Sequence, residues 1–395
     1  MTKIPFHYQI VAGIFGGVIF GFLFPDFVFL AKPFGVIFLK LLKLMVVPLI
    51  FVSLVDGITR VGSAEKLSVL GIRTTVFYLA TNGLAVITSL ILVNLIRPGD
   101  GVKIFGDKSE AIQTVGGMPD LIPQNFFQAL AKGDTLQIIF VAILFGVGLV
   151  ALKEKGKRLA ELFSDLNEWI LVLVGFMMKL APLGVFGLLA GMVQAFDWQA
   201  VIGVGKFVLT LLLGLLIHGG ITLPLFFKTF STRPLKKFIS DMEPALFTSF
   251  STSSSAATLP VTMDCIEKRA KISKDIAGFV LPVGATVNMD GTAMYEATAC
   301  LFMAQALGID LSLGQQLLVF FTAALAAIGA AAIPSAGLVT LAMVLTAVHL
   351  PLEGIGFLLA IDRPLDMSRT VVNVWGDMVA CAVVEGLEKK EKKDA

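Results

Sequence analysis

Charge is scarce in this chain: Asp, Glu, Lys and Arg make up 15% of its 395 residues, where soluble domains carry about 25%. His, Cys, Trp and Tyr occur only three times each. Cys265, Cys300 and Cys381 show no CxxC or Cys/His spacing, so they read as reduced, packed thiols and not as a disulfide frame or metal site. His7, His218 and His349 stand far apart, which gives no support to a His-based metal site or a catalytic triad. The net charge of +2 is too small to imply nucleic-acid binding, and no basic-aromatic tract suggests it. No Ser/His, HExxH or paired-Asp protease pattern is present, so an enzyme is not expected.

What is abundant is apolar. Apolar residues make up 56% of the chain and Phe occurs 32 times; the mean hydropathy is +0.87. A water-soluble protein of this length cannot bury so much apolar surface, so the bilayer must act as solvent for much of it. In hydrocarbon every backbone polar group must be bonded internally, so the long apolar runs are expected to be helices. Spans are expected near 8–25, 33–59, 69–96, 127–152, 165–193 and 199–227, then apolar stretches at 238–264, 275–306, 312–348 and 354–386. The stretch 97–126, rich in Gly, Pro and charge, reads as a loop. Residues 8–24 resemble a signal peptide, but no small-x-small site precedes Pro25 and Asp26, so a retained first span is expected.

Basic residues in short loops mark the cytoplasmic side. Arg60, Lys66 and Arg73 form one cluster, Lys153, Lys155, Lys157 and Arg158 the next, and Lys228, Arg233, Lys236 and Lys237 a third, each separated by two spans. The following cluster, Lys268, Arg269, Lys271 and Lys274, comes after a single apolar stretch. Residues 238–264 are therefore expected to enter and return on the cytoplasmic side. The stretch 312–348 is flanked by Asp310 and Glu353 and is expected to return on the outside. The expected fold is all-α and polytopic, with eight transmembrane helices and two opposed re-entrant hairpins arranged as inverted repeats. The expected location is the plasma or inner membrane, with both termini cytoplasmic. Opposed discontinuous elements point to a substrate site at the midplane.

Four constellations carry chemistry. In the last span Asp362, Asp366, Arg369, Asn373 and Asp377 fall within about 80° of one another on a helix. A charge at that depth costs at least ~2.5 kcal/mol unless paired or solvated. The stripe is either a salt-bridge ladder for packing or a binding surface. Its excess of carboxylates suits bound cations. In Gly284-Ala-Thr-Val-Asn-Met-Asp-Gly-Thr292 the polar residues interrupt a span, and freed carbonyls with carboxylates are hard oxygen ligands; a simple kink is the alternative. Ser251-Thr-Ser-Ser-Ser-Ala-Ala-Thr-Leu-Pro260 lies mid-hairpin and reads as a tip whose N–H groups and hydroxyls suit an anionic carboxylate. Gly329-Ala-Ala-Ala-Ile-Pro-Ser-Ala-Gly337 lies mid-way along the second hairpin, where small residues allow close packing and hinge motion. Glu296, one turn after the interruption, is either a proton carrier or a fixed hydrogen-bonded group.

With these residues laid out, the chain resembles the glutamate/aspartate transporter family, the dicarboxylate/amino acid:cation symporters, over essentially its whole length. The matching motifs are Ser253-Ser-Ser255 with Thr258-Leu-Pro260, Asn288-Met-Asp-Gly-Thr292, Ile333-Pro334 with Ala336-Gly337, and Asp362, Asp366, Arg369, Thr370, Asn373 and Asp377 at fixed spacing. The resemblance implies a homotrimer in lipid, with an elevator mechanism and no organic cofactor. Residues 1–68 and 97–193 would hold the scaffold; 69–96 and 194–395 would form the transport domain.

The resemblance also implies residue roles. Asp366 would hold the substrate ammonium. Arg369, helped by Thr292, would pair with the side-chain carboxylate. Asn373 and the Ser254–Ser255 region, with Thr370 nearby, would hold the α-carboxylate, and Ile333, Pro334 and Gly337 would form the gate. About three Na⁺ sites are implied. One uses Asp377 with carbonyls of Gly284, Asn288 and Asn373. A second uses Thr286 and carbonyls of Ala327, Ile328 and Ala330. A third uses Asp290, Asn288, Thr81 and the Tyr78 carbonyl, with Asn82 where relatives have a hydroxyl. Glu296 matches the proton-carrying Glu of animal members, which implies proton co-transport. Two family arginines are missing: Ser253 stands in the region of one and Met367 at the other. Arg363, followed by Pro364, either substitutes for the missing charge or pairs with Asp362. The expected function is symport of L-glutamate or L-aspartate with Na⁺ and H⁺; a purely proton-coupled carrier, a neutral amino acid carrier and a C4-dicarboxylate carrier are the alternatives.

Overall fold

A computed structural model describes residues 6–62, 69–102, 122–133, 135–192, 198–328 and 336–394. The described residues are helical, with no strand among them. The amino-terminal half contains α1 (Phe6–Leu23), α2 (Val28–Gly62), α3 (Val69–Ile96), α4 (Phe126–Lys132), α5 (Thr135–Ala151), α6 (Lys157–Met178) and α7 (Ala181–Met192). The rest contains α8 (Trp198–Ile217), α9 (Leu223–Phe230), α10 (Leu235–Thr252), α11 (Ser255–Asp264), α12 (Lys274–Val287), α13 (Asp290–Ala306), α14 (Leu313–Ile328), α15 (Ala336–Ala347) and α16 (Ile355–Asp394).

Two of the expected spans are broken. The span expected over 165–193 is the pair α6 and α7, bent by 51°. Pro182 explains the break, because it lacks the N–H that would bond back to Met178. The span expected over 127–152 starts as the short α4, capped by Asn125, whose Oδ1 accepts from Phe127 N at 2.8 Å. Gly133 then adopts φ 69° and ends that turn before α5 begins.

The helices pack in two groups. α2 packs against α5, α6 and α7, and α1 packs along α7. In the second group α13 lies against α3, α8, α14, α15 and α16, and α16 also holds α9, α10 and α12. The described core of α13 is buried all round, from Asp290 to Gln305. The outer helices expose large apolar side chains such as Phe15, Phe22, Phe29 and Leu44, a surface that suits lipid. α2, α3, the joined α8–α9 and α16 are each long and apolar enough to cross a membrane.

α10 and α11 pack together as a hairpin whose tip is Ser253–Ser254. Ser253 turns the chain with φ 52°, and Ser254 caps α11 by accepting from Ala257 N at 3.2 Å. The hairpin base is tied by Arg233. Its Nε and Nη2 donate to the two Glu385 oxygens of α16 at 2.7 and 2.8 Å, and Nη1 donates to Ala270 O at 2.5 Å. α14 and α15 also pack together. The tip between them falls outside the described residues, as do Ala330, Ile333 and Pro334 of the expected site.

Candidate substrate and cation site

The stripe read from the last span lies on α16, and all five of its polar side chains are buried. Arg369, 1% exposed, donates through Nη2 to Asp362 Oδ1 at 2.8 Å and to Asp366 Oδ1 at 2.9 Å. Part of the stripe is thus an internal ladder. The ladder is incomplete: Nε and Nη1 of Arg369 are buried and find no hydrogen-bond partner among the described residues. Nη1 faces Gly337 at the start of α15, and the Thr292 methyl lies near the same glycine. Arg363 lies 3.7 Å from Asp366, whereas Asp362 pairs with Arg369.

The interruption of the span is where the site closes. Asn288 (φ −84°, ψ 83°) and Met289 (φ −114°, ψ 45°) leave helical geometry, so α12 ends and α13 begins. Gly291 N, an N–H with no partner inside its own helix, donates to Asn373 Oδ1 of α16 at 2.7 Å. The Asn373 amide points its Nδ2 at Thr292 Oγ1, 3.4 Å away. A side chain on Gly291 would start 2.6 to 3.1 Å from the Arg369 backbone, so only glycine permits this crossing. Thr370 donates to Asp366 O at 2.8 Å and is buried beside it.

Below this point lie the expected cation ligands. Asn288 Nδ2 donates to Asp377 Oδ1 at 2.9 Å and to Asn373 O at 3.1 Å, while Asn288 N donates to Gly284 O at 2.9 Å. A Cβ on Gly284 would meet Asp377 Oδ1 and Tyr78 Oη, so these three residues share one point. Thr81 Oγ1 donates to Tyr78 O at 3.3 Å. Gly284 O accepts only from Asn288 N and keeps a second lone pair, whereas Tyr78 O and Asn373 O, which also accept the i+4 N–H of their own helices, already accept two bonds each. Asn288 Oδ1, Asp290 Oδ1 and both polar atoms of the Asn82 side chain are buried with no partner among the described residues. Orphaned oxygens of this kind fit a small hard cation. No group of three or more His, Cys, Asp or Glu that could hold a metal occurs among the described residues. Thr286 spends its hydroxyl on Val283 O at 3.0 Å, and Ala327 and Ile328 end α14, which touches α12.

Ser255 is buried at the start of α11, which packs on α16. The N–H groups of that helix start suit an anion. Glu296 is wholly buried mid-way along α13 and faces the Thr340 hydroxyl of α15.

Two residues escaped the sequence reading. The Tyr295 ring lies under Arg369, whose Cζ is 3.9 Å from the ring centroid. His218 Nε2 lies 3.0 Å from Asp290 Oδ2, and neither side chain is exposed. The signal for His218 was its position inside an apolar span, where an ionisable group is costly enough to need a partner. Tyr295, between Met294 and Glu296, gave no comparable signal, because an aromatic ring carries no charge that has to be paired.

The long apolar helices, with buried polar residues at the α12–α13 break and along α16, define a polytopic helical membrane protein with a polar interior. The chain belongs to the sodium:dicarboxylate symporter family, whose profile matches residues 6–387. It is 36% identical to excitatory amino acid transporter 3 of Mus musculus, over 90% of this chain and 79% of that one. It is 34% identical to the proton/sodium-glutamate symport protein of Bacillus caldotenax, covering 99% of this chain and 97% of the relative. The C4-dicarboxylate transport protein of Bacillus subtilis is also 34% identical, over 97% and 93% of the two chains.

Proposed function

We infer that the protein is a secondary active symporter of acidic amino acids, L-glutamate or L-aspartate, driven by Na⁺ and H⁺. The observation that carries this reading is Arg369, fully buried with two guanidinium nitrogens that find no hydrogen-bond partner among the described residues. A planar guanidinium recognises a carboxylate through paired N–H groups. On binding, the substrate side-chain carboxylate takes Arg369, and the ammonium takes Asp366 in exchange. Thr292, Asn373, Thr370 and the Ser254–Ser255 turn line the place left for the α-carboxylate. Asp377, Asn288, Asp290, Gly284, Tyr78, Thr81 and Asn82 are the coupling-ion ligands in this reading, with Thr286, Ala327 and Ile328 forming a separate Na⁺ site. Glu296 carries the proton.

The two packing groups support a division of labour. α1, α2 and α4 to α7 form a scaffold, held in a homotrimer with the termini on the cytoplasmic side. α3 and α8 to α16 move against it as an elevator. The pairing of Asp366 with both Arg369 and Arg363 favours a second reading, a C4-dicarboxylate carrier, because a substrate without an ammonium leaves those pairs intact. The Bacillus subtilis relative bears a name of that kind.

The test is uptake of radiolabelled L-aspartate, L-glutamate and succinate into proteoliposomes, under an inward Na⁺ gradient and, separately, an inward proton gradient. Na⁺-dependent amino acid uptake is expected. Uptake on protons alone removes the Na⁺ ligands from the reading, and preference for succinate replaces the cargo.

A further inference from the structure

α8 and α9 are one helix joined through a π-turn at His218–Thr222, in which Leu223 N–H bonds to His218 O. A single π-turn inserts an extra residue into a helix and recurs at functional sites. Two groups leave this turn toward the site. His218 Nε2 meets Asp290 Oδ2 at 3.0 Å. Gly219 O accepts from Trp375 Nε1 at 3.0 Å. Asp290 is the first residue of α13, and Trp375 lies between Asn373 and Asp377 on α16. One turn therefore grips both helices that carry the candidate coupling-ion ligands.

His218 Nε2 and Asp290 Oδ2 share one hydrogen bond inside the protein, with both side chains fully buried. This bond commits Asp290 Oδ2. Asp290 Oδ1 stays buried with no partner among the described residues. We propose that His218 is the positioning residue of the Asp290 cation site: it fixes the Asp290 carboxylate through Oδ2 and leaves Oδ1 as the ligand for Na⁺. The proposal rests on the reading of Asp290 as a coupling-ion ligand. Groups that orient a metal ligand in this way change metal affinity by about 10- to 100-fold when removed.

The test is Na⁺ binding to the purified full-length protein in detergent, with Na⁺ alone as the probe, followed by intrinsic tryptophan fluorescence and calorimetry. His218→Leu is expected to raise the half-saturating Na⁺ concentration about tenfold or more. His218→Gln, which keeps an N–H donor of similar reach, is expected to recover most of that affinity. L-aspartate affinity at saturating Na⁺ should change less than about twofold in both variants. Unchanged Na⁺ binding in His218→Leu, or a Gln variant no better than Leu, overturns the positioning role. Asp290→Asn separates the two levels. If it leaves Na⁺ binding intact, the cation reading of Asp290 itself fails. If it weakens Na⁺ binding and His218→Leu does not, only the role of His218 fails. Should His218→Leu not fold, His218→Ala gives the same comparison.

Discussion

Arg369 of α16 lies over the ring of Tyr295 of α13, with Cζ 3.9 Å from the ring centroid. The two carboxylates hold Nη2 and the ring lies against the same guanidinium, which together restrict the direction of the remaining N–H groups. A desolvated cation–π contact contributes about 2 kcal/mol. Tyr295→Leu is therefore expected to weaken acidic-substrate binding by about 30-fold. Tyr295→Phe keeps the ring and is expected to bind near the parent affinity. Calorimetric titration with L-aspartate checks both, and a Phe variant as weak as Leu would show that the hydroxyl matters and the ring does not.

Removal of the guanidinium is the stronger test of cargo. Arg369→Cys leaves Asp362 and Asp366 without their shared cation and removes the carboxylate partner. A loss of about 2–5 kcal/mol is typical for truncating such a pair, so aspartate and glutamate binding is expected to fall at least about 30-fold. Competition binding with serine and alanine in the same variant reports whether neutral amino acids take their place. Retained aspartate affinity removes Arg369 from the substrate site.

Glu296 is buried beside Thr340 and outside the α16 ladder. Glu296→Gln keeps size and hydrogen bonding but cannot exchange a proton. Substrate binding is expected to stay within about threefold, while the pH dependence of net uptake disappears. Uptake measured from pH 5 to 9 in proteoliposomes decides this; a surviving pH profile moves the proton to another group.

Gly291→Ala puts a methyl group against the Arg369 backbone at the α13–α16 crossing. Overpacking of this kind costs about 1–3 kcal/mol. A lower thermal midpoint in detergent is expected, together with weaker substrate binding, because the crossing also sets the Gly291–Asn373 bond. A variant as stable as the parent would mean that the helices can separate at no cost.

Much of this arrangement was legible before any coordinates. Hydrophobic run lengths placed most of the helices, since a bilayer leaves the backbone little alternative. Polar residues were visible because apolar surroundings make each one conspicuous: Asn288, Asp290, Asp366 and Arg369 stand out for that reason. Local breaks were harder. Gly133 and Pro182 split expected spans, yet a single Gly or Pro is tolerated in many membrane helices and does not announce a break. The partners of charged groups were illegible in part. Arg369 was read either as a substrate ligand or as part of a salt-bridge ladder, and which of its nitrogens the ladder takes, Nη2, depends on a rotamer that the sequence does not record. The bond from His218 to Asp290 joins residues 72 apart in the sequence, and a hydropathy pattern holds no record of such a pairing.

Arg233 has a consequence of a mechanical kind. One side chain fastens the start of α10, the backbone just beyond α11 and Glu385 of α16, and Nη2 adds a longer contact to Lys271 O at 3.4 Å. The two legs of the hairpin cannot spread at their base without stripping several bonds from one guanidinium at once. The fastening acts as a rivet. It makes the hairpin and the carboxyl-terminal part of α16 a single stiff body, so any looseness in this hairpin is confined to its serine tip.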